Sequence, residues 1–200
     1  MRVKCENRRQ AILDVAEELF REKGFELTSM SEITARVGGS KATLYNYFAS
    51  KEELFLEVMH RFAAADIRKL FDGLDPQGDL RETLQRFGEA LIDFIAQPKV
   101  VAAQRVLFSE SGRTDIGKRF YDRGPCDGGA KMAEYLLRCV ELGKLRELDA
   151  PVAARHLFSL LKSEIMEPLL FGASEREALP PTRDAVRRAV DVFVRAYGPV

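Results

Sequence analysis

Apolar residues recur at helical spacing along almost the whole chain, and no other feature limits the fold as strongly. Ala11, Ile12, Val15, Ala16, Leu19 and Phe20 share one face of a helix that Gly24 closes. Leu54, Phe55, Val58, Met59 and Phe62 do the same on a long connecting helix from Lys51 to about Phe71, which ends in the turn-rich stretch Asp72-Gly73 to Gly78. Further helices are expected near 79–96, 99–111, 113–123, 126–143, 150–171 and 182–197. Pro98, Gly112, Gly124-Pro125, Gly143 with Pro151, and Gly172 to Pro181 separate them. No alternating strand run, internal repeat or low-complexity tract intervenes. The fold class is all-α.

The first fifty residues divide into three short helices. Ser29 with Glu32, and Ser50 with Glu53, have the spacing of capping boxes, and Gly38-Gly39-Ser40 supplies a tight turn and a new cap between them. Ser29–Val37 and Lys41–Phe48 therefore make a helix-turn-helix candidate. In that motif the second helix enters the major groove, so its first residues must be small or polar while its other face holds it to the scaffold. Lys41, Ala42, Thr43 and Asn46 suit the groove; Leu44 and Phe48 suit the scaffold. Tyr45, Tyr47 and Lys51 offer donors at the groove edge, where phosphates would lie. An ordinary helical hairpin with Tyr45, Tyr47 and Phe48 in its core satisfies the same spacing.

Charge argues weakly against a nucleic-acid partner. The 200 residues carry 31 Lys/Arg against 31 Asp/Glu, and residues 1–51 hold nine against seven. Arrangement matters more than the total: Lys41 and Lys51 flank the second helix of the motif, whereas Asp14, Glu17, Glu18 and Glu22 lie on the first helix of the chain. For Arg2, Lys4, Arg8 and Arg9 two readings stay open, a basic arm reaching phosphates or the minor groove and a solvated terminus.

Residues 8–55 resemble the N-terminal DNA-binding domain of TetR-family transcriptional regulators. The resemblance rests on Ile12-Leu13, Leu19-Phe20, Gly24-Phe25, Thr28, Ile33, Gly38, Ser40-Lys41, Leu44-Tyr45, Tyr47-Phe48 and Lys51-Glu52 in fixed register. It implies a helix-turn-helix domain over 1–50, with the motif at about 29–48, and a helical ligand-binding and dimerisation domain over 51–200. By position, Thr28, Lys41, Tyr45, Tyr47 and Lys51 would contact the DNA backbone, Ser40 at the start of the recognition helix would belong to the same DNA-binding set, and Ala42, Thr43 and Asn46 would face bases. Two departures stand out: Thr34 replaces a usual alanine, and Gly39 replaces a usual β-branched residue. Gly39 is expected to loosen the turn.

The resemblance further implies a homodimer on a double-stranded operator, released when a small apolar or amphipathic effector binds. Repression rather than activation is the family tendency. A weaker resemblance to one subgroup runs from about Leu80 to Gly172. Most aromatics on these helix faces are expected to be core. Candidate pocket residues are Phe62, Phe87, Phe94, Arg105, Phe108, Phe120, Tyr121, Tyr135, Phe158 and Lys162, in a cavity between the connecting helix and those near 99–111, 126–143 and 150–171. Arg105, His156, Lys162 and Glu164 lie within or beside apolar faces and need partners there. Leu157, Leu160, Leu161, Val186, Val190, Phe193, Val194 and Tyr197 are candidates for a four-helix dimer interface.

Competing functions have thinner support. Gly124 to Lys131 superficially resembles a phosphate-binding loop, but Ala130 breaks the spacing, no hydroxyl residue follows and no strand precedes it, so a turn is expected. Neither His60 nor His156 is placed to activate a cysteine, and no enzyme is expected. No metal-ligand spacing occurs around Cys5, Cys126 or Cys139, and no cofactor is expected. The odd cysteine count, the periodic rather than unbroken apolar positions after Arg9, and the absence of a long uncharged stretch point to a soluble, cytoplasmic protein with no membrane partner. One alternative keeps the same DNA-binding head under control of Cys126 oxidation, with Cys139 buried and inert.

Overall fold

The structure is a computed structural model that describes residues 2–199, with side chains from residue 6 onward. Eleven α-helices appear among the described residues: α1 (Arg2–Leu27), α2 (Met30–Val37), α3 (Lys41–Tyr47), α4 (Lys51–Asp72), α5 (Leu80–Ile95), α6 (Pro98–Glu110), α7 (Ile116–Tyr121), α8 (Asp127–Glu141), α9 (Ala150–Lys162), α10 (Met166–Phe171) and α11 (Thr182–Tyr197). None is long and apolar enough to cross a membrane. The chain forms two compact units, one running to Ala64 and taking in Glu110–Ile116, the other made of Ala65–Ser109 and the residues from Gly117 on.

In the first unit, Ile12, Leu13, Ala16 and Leu19 of α1 meet Met30 and Ile33 of α2, Leu44 of α3, Phe48, and Leu54 and Val58 of α4. Polar caps set the helix starts. Ser29 accepts from the Glu32 amide at 3.2 Å, Ser40 from the Thr43 amide at 3.1 Å and Ser50 from the Glu53 amide at 3.1 Å. The Glu53 carboxylate returns to the Ala49 amide at 2.7 Å, whereas Glu32 turns away to pair with Lys23. Gly24 has φ 79°, a left-handed conformation that interrupts α1 before the helix resumes to Leu27. The acidic face of α1 is neutralised within the unit: Arg61 reaches Asp14 at 2.6 Å and Glu17 at 2.5 Å, and Arg36 lies 3.4 Å from Glu22.

In the second unit α8 packs on α9, and α11 packs on both α5 and α9. The core includes Leu84 and Phe87 of α5, Met132 and Leu136 of α8, Leu157 and Leu161 of α9, and Val186, Val190 and Phe193 of α11. Gly88 sets how near α5 comes: a Cβ there would lie 2.6 Å from both Leu161 Cδ2 and Val186 Cγ1.

Two expected boundaries differ in the structure. The helix expected over 150–171 is broken after Lys162 and restarts at Met166. Pro168 has no amide to donate, and its ring excludes a helical Glu164 carbonyl, so one continuous helix is disfavoured. The turn expected at Gly124-Pro125 is a π-helical turn, Asp122–Cys126, that leads from α7 into α8. Widening the helix by one residue lets Pro125 sit where a regular α-turn would clash.

Candidate nucleic-acid interface

The second helix of the motif, α3, has only seven residues, too few to persist alone. Two anchors hold it. Leu44 and Phe48 are buried in the core of the first unit, each contributing roughly 1.5–3 kcal/mol. With those side chains turned inward, Lys41, Ala42, Tyr45 and Asn46 are exposed together on the opposite face. Their spacing, i, i+1, i+4 and i+5, is that of one helix surface. Thr43 is half-buried, and its hydroxyl lies 2.8 Å from that of Ser40, the residue that caps the helix.

Other candidate contacts are turned inward. Thr28 is 1% exposed, and its hydroxyl donates to the Gly24 carbonyl at 2.7 Å and the Leu19 carbonyl at 3.3 Å. It finishes the broken end of α1, so the side chain expected at a phosphate is committed to the fold. The Lys51 ammonium donates to the Phe25 carbonyl at 2.9 Å and lies 4.1 Å from the centre of the Phe25 ring. Tyr47 is half-buried beside the core. Thr34 fits its helix by donating to the Met30 carbonyl at 2.8 Å.

The basic arm divides. The side chains of Arg2 and Lys4, like that of Cys5, lie outside the described residues. Arg8 donates from Nη1 to the Val37 carbonyl at 3.4 Å and from Nη2 to the Gly38 carbonyl. Arg9 pairs with Glu57 of α4 at 2.5 Å and lies over the Phe48 ring at 5.3 Å. Gly39, expected to loosen the turn, adopts φ 102° and gives the Arg8 guanidinium the space a side chain would take.

The second unit carries a groove of about 490 Å³ between the end of α4 and α5. Ile67, Leu70, Phe87, Ala90 and Phe94 give it apolar walls, and Asp66, Lys69, Arg86 and Asp93 bring charge to it. Of the candidate pocket residues, Phe87 and Phe94 line this groove. Phe158 packs edge-on against Phe87, with ring centres 6.0 Å apart, and Tyr135 is buried in the same core. Burial, aided by the neighbouring Cys139, holds the Tyr135 phenol well above its usual range, and burial likewise raises the Cys139 thiol. Phe62 and Phe120 are half-buried, Lys162 is exposed, and Phe108 and Tyr121 stand 66% and 56% exposed. Arg105 donates to the Leu170 carbonyl at 2.9 Å, satisfying the end of α10. Cys126 is exposed in the π-helical turn.

The candidate dimer residues separate in a similar way. Leu157, Leu161, Val186, Val190 and Phe193 are buried within the protomer, where α9 and α11 meet each other and α5. Leu160, Val194 and Tyr197 remain half-buried.

A family model described as bacterial regulatory proteins, tetR family, matches residues 12–58, and one described as AefR-like transcriptional repressor, C-terminal domain, matches residues 82–199. The chain belongs to the TetR family of transcriptional regulators. Members bind operator DNA and are typically dimers with small-molecule effectors. The transcriptional activator FasR of Mycolicibacterium smegmatis is 36% identical over 94 residues, which are 47% of this chain and 43% of FasR. The chain thus matches under half the length of that relative. A putative TetR-family regulator from Mesorhizobium loti superposes with a TM-score of 0.83 at 25% identity, covering 97% of this chain and 98% of its own. The flavonoid-responsive regulator FrrA does so with a TM-score of 0.74 at 30% identity, over 97% and 98% of the two chains.

Proposed function

We propose that this TetR-family protein is an operator-binding repressor that acts as a homodimer and leaves DNA when a small aromatic effector binds. The exposed face of α3 carries the reading: it stands clear of the core while Leu44 and Phe48 fix its other side. Ala42 and Asn46 read base edges, Thr43 beside them, and Lys41, Tyr45 and Tyr47 hold phosphates. Residues 1–50 are the DNA-binding domain, and 51–200 bind effector and partner. Such a regulator works in the cytoplasm with the chromosome. Repression accords with the repressor description of the C-terminal match. The comparisons lend no support to control by Cys126 oxidation.

The effector class comes from FrrA, named for its response to flavonoids. The groove beside Phe87 and Phe94 has the volume and aromatic wall that a planar phenolic molecule needs. In the test, a duplex enriched by the protein from a random-sequence library is bound at low salt and titrated with the flavonoid quercetin. Release of the duplex, blunted by Phe94→Ala, supports the reading. Enrichment of no sequence refutes operator binding, and an enriched duplex that quercetin leaves bound refutes this effector class.

A further inference from the structure

Arg8 and Arg9, consecutive on α1, grip opposite ends of α3. Arg9 lies over Phe48 at the end of α3 and is held there by Glu57 of α4. Arg8 goes to the other end, the turn that introduces α3. Its two nitrogens reach the carbonyls of Val37 and Gly38, acceptors at the end of α2 that the helix itself leaves without partners. The turn is shaped to receive it. Gly38 and Gly39 both have positive φ, 78° and 102°, and a Cβ on Gly39 would lie 2.7 Å from Arg8 Nη2.

We propose that Arg8 is a positioning residue for DNA reading: its planar fork fixes the turn Val37–Gly39, and so the angle at which α3 is presented, without itself holding a phosphate. A lysine offers no comparable fork for two carbonyls. The inference rests on α3 being the recognition helix. A basic residue at this edge of the domain has one obvious competing role, a phosphate contact, and salt separates the two. Each phosphate neutralised contributes about −0.9 to the slope of log K against log salt, whereas a brace contributes nothing to it.

The test uses the full chain, the duplex enriched by the wild-type protein and a 30-base-pair duplex of unrelated sequence. Arg8→Ala should weaken binding to the enriched duplex about tenfold, in line with the loss of a charge-assisted hydrogen bond. Affinity for the unrelated duplex and the salt slope should not change. Arg8→Lys, which keeps the charge, should share most of the loss. Gly39→Ala should cost less in the Arg8→Ala background than alone, because the group its Cβ would meet has gone. A slope reduced by about 1.8, one phosphate per protomer, with equal weakening on both duplexes, or no weakening at all, overturns the proposal. Circular dichroism and melting establish that each variant is folded. If the wild-type protein enriches no duplex, operator reading has failed rather than the brace, and amide exchange of residues 38–41 decides. Faster exchange in Arg8→Ala supports the brace, and unchanged exchange overturns it.

Discussion

His156 Nδ1 on α9 and the Tyr197 hydroxyl on α11 share a hydrogen bond of 2.6 Å. Just past the end of α9, Glu164 accepts from Arg188 of α11 at 2.9 Å. The helices therefore run antiparallel between two polar ties, and Leu160 and Val192 fall midway between them, half-buried and 50% exposed respectively. Leu160 and Val192 are the candidate contacts for a second copy in the proposed dimer. A carboxylate buried opposite an apolar partner has no compensation, so Val192→Asp should shift the protein to a monomer in light scattering at micromolar concentration while leaving its helical content intact. A wild-type protein that is strictly monomeric at that concentration would remove the dimer from the account.

Gly88 carries the close approach of α5 to α9 and α11. Gly88→Ala places a methyl group against Leu161 and Val186, neither of which can leave the core. Overpacking of this kind costs about 1–3 kcal/mol. The melting temperature should fall, and the salt slope of DNA binding measured below the transition should not change.

Thr28 gives a complementary test within the DNA-binding unit. Thr28→Val keeps the shape but strands the Gly24 carbonyl, for a loss of about 1–3 kcal/mol. Thermal unfolding should register that loss while affinity for both the enriched and the unrelated duplex, measured below the transition, stays at the wild-type value. Equal weakening on the enriched and unrelated duplexes would instead return Thr28 to the phosphates.

Lys41 and Asn46 lie on the same exposed face and should behave differently. Lys41→Ala should weaken enriched and unrelated duplexes alike and reduce the salt slope by about 1.8, one phosphate from each protomer of the proposed dimer. Asn46→Ala should leave the slope alone and relax preference at one base pair per half-site, by about 1–3 kcal/mol. Quantitative binding to single-base variants of the enriched duplex distinguishes these outcomes.

Much of this architecture is legible in the chain. Helical spacing marks the elements, Ser29, Ser40 and Ser50 mark three starts, and Leu44 with Phe48 dictates that Lys41, Ala42, Tyr45 and Asn46 face out. Pro168 and Pro125 also carried their signals, since each forbids a regular turn around itself. Other features depend on contacts that spacing does not encode. The partners of Arg8 lie 29 and 30 residues away, and the turn that accepts it exists only once Gly38 and Gly39 take positive φ. A threonine hydroxyl is equally suited to a phosphate and to its own backbone, so Thr28 does not disclose its role. An apolar stripe such as Leu157, Leu161, Val186, Val190 and Phe193 says that it will be buried, not by which chain.

Selection from a random-sequence library by the wild-type protein and by Asn46→Ala tests most directly whether α3 reads DNA from a two-fold dimer. The wild-type protein should enrich an inverted repeat with half-site centres about one helical turn, or a multiple of it, apart. The variant should enrich the same repeat with one symmetry-related position in each half relaxed. Enrichment of a non-repeated motif, of no motif, or of an identical motif by both proteins would contradict the account.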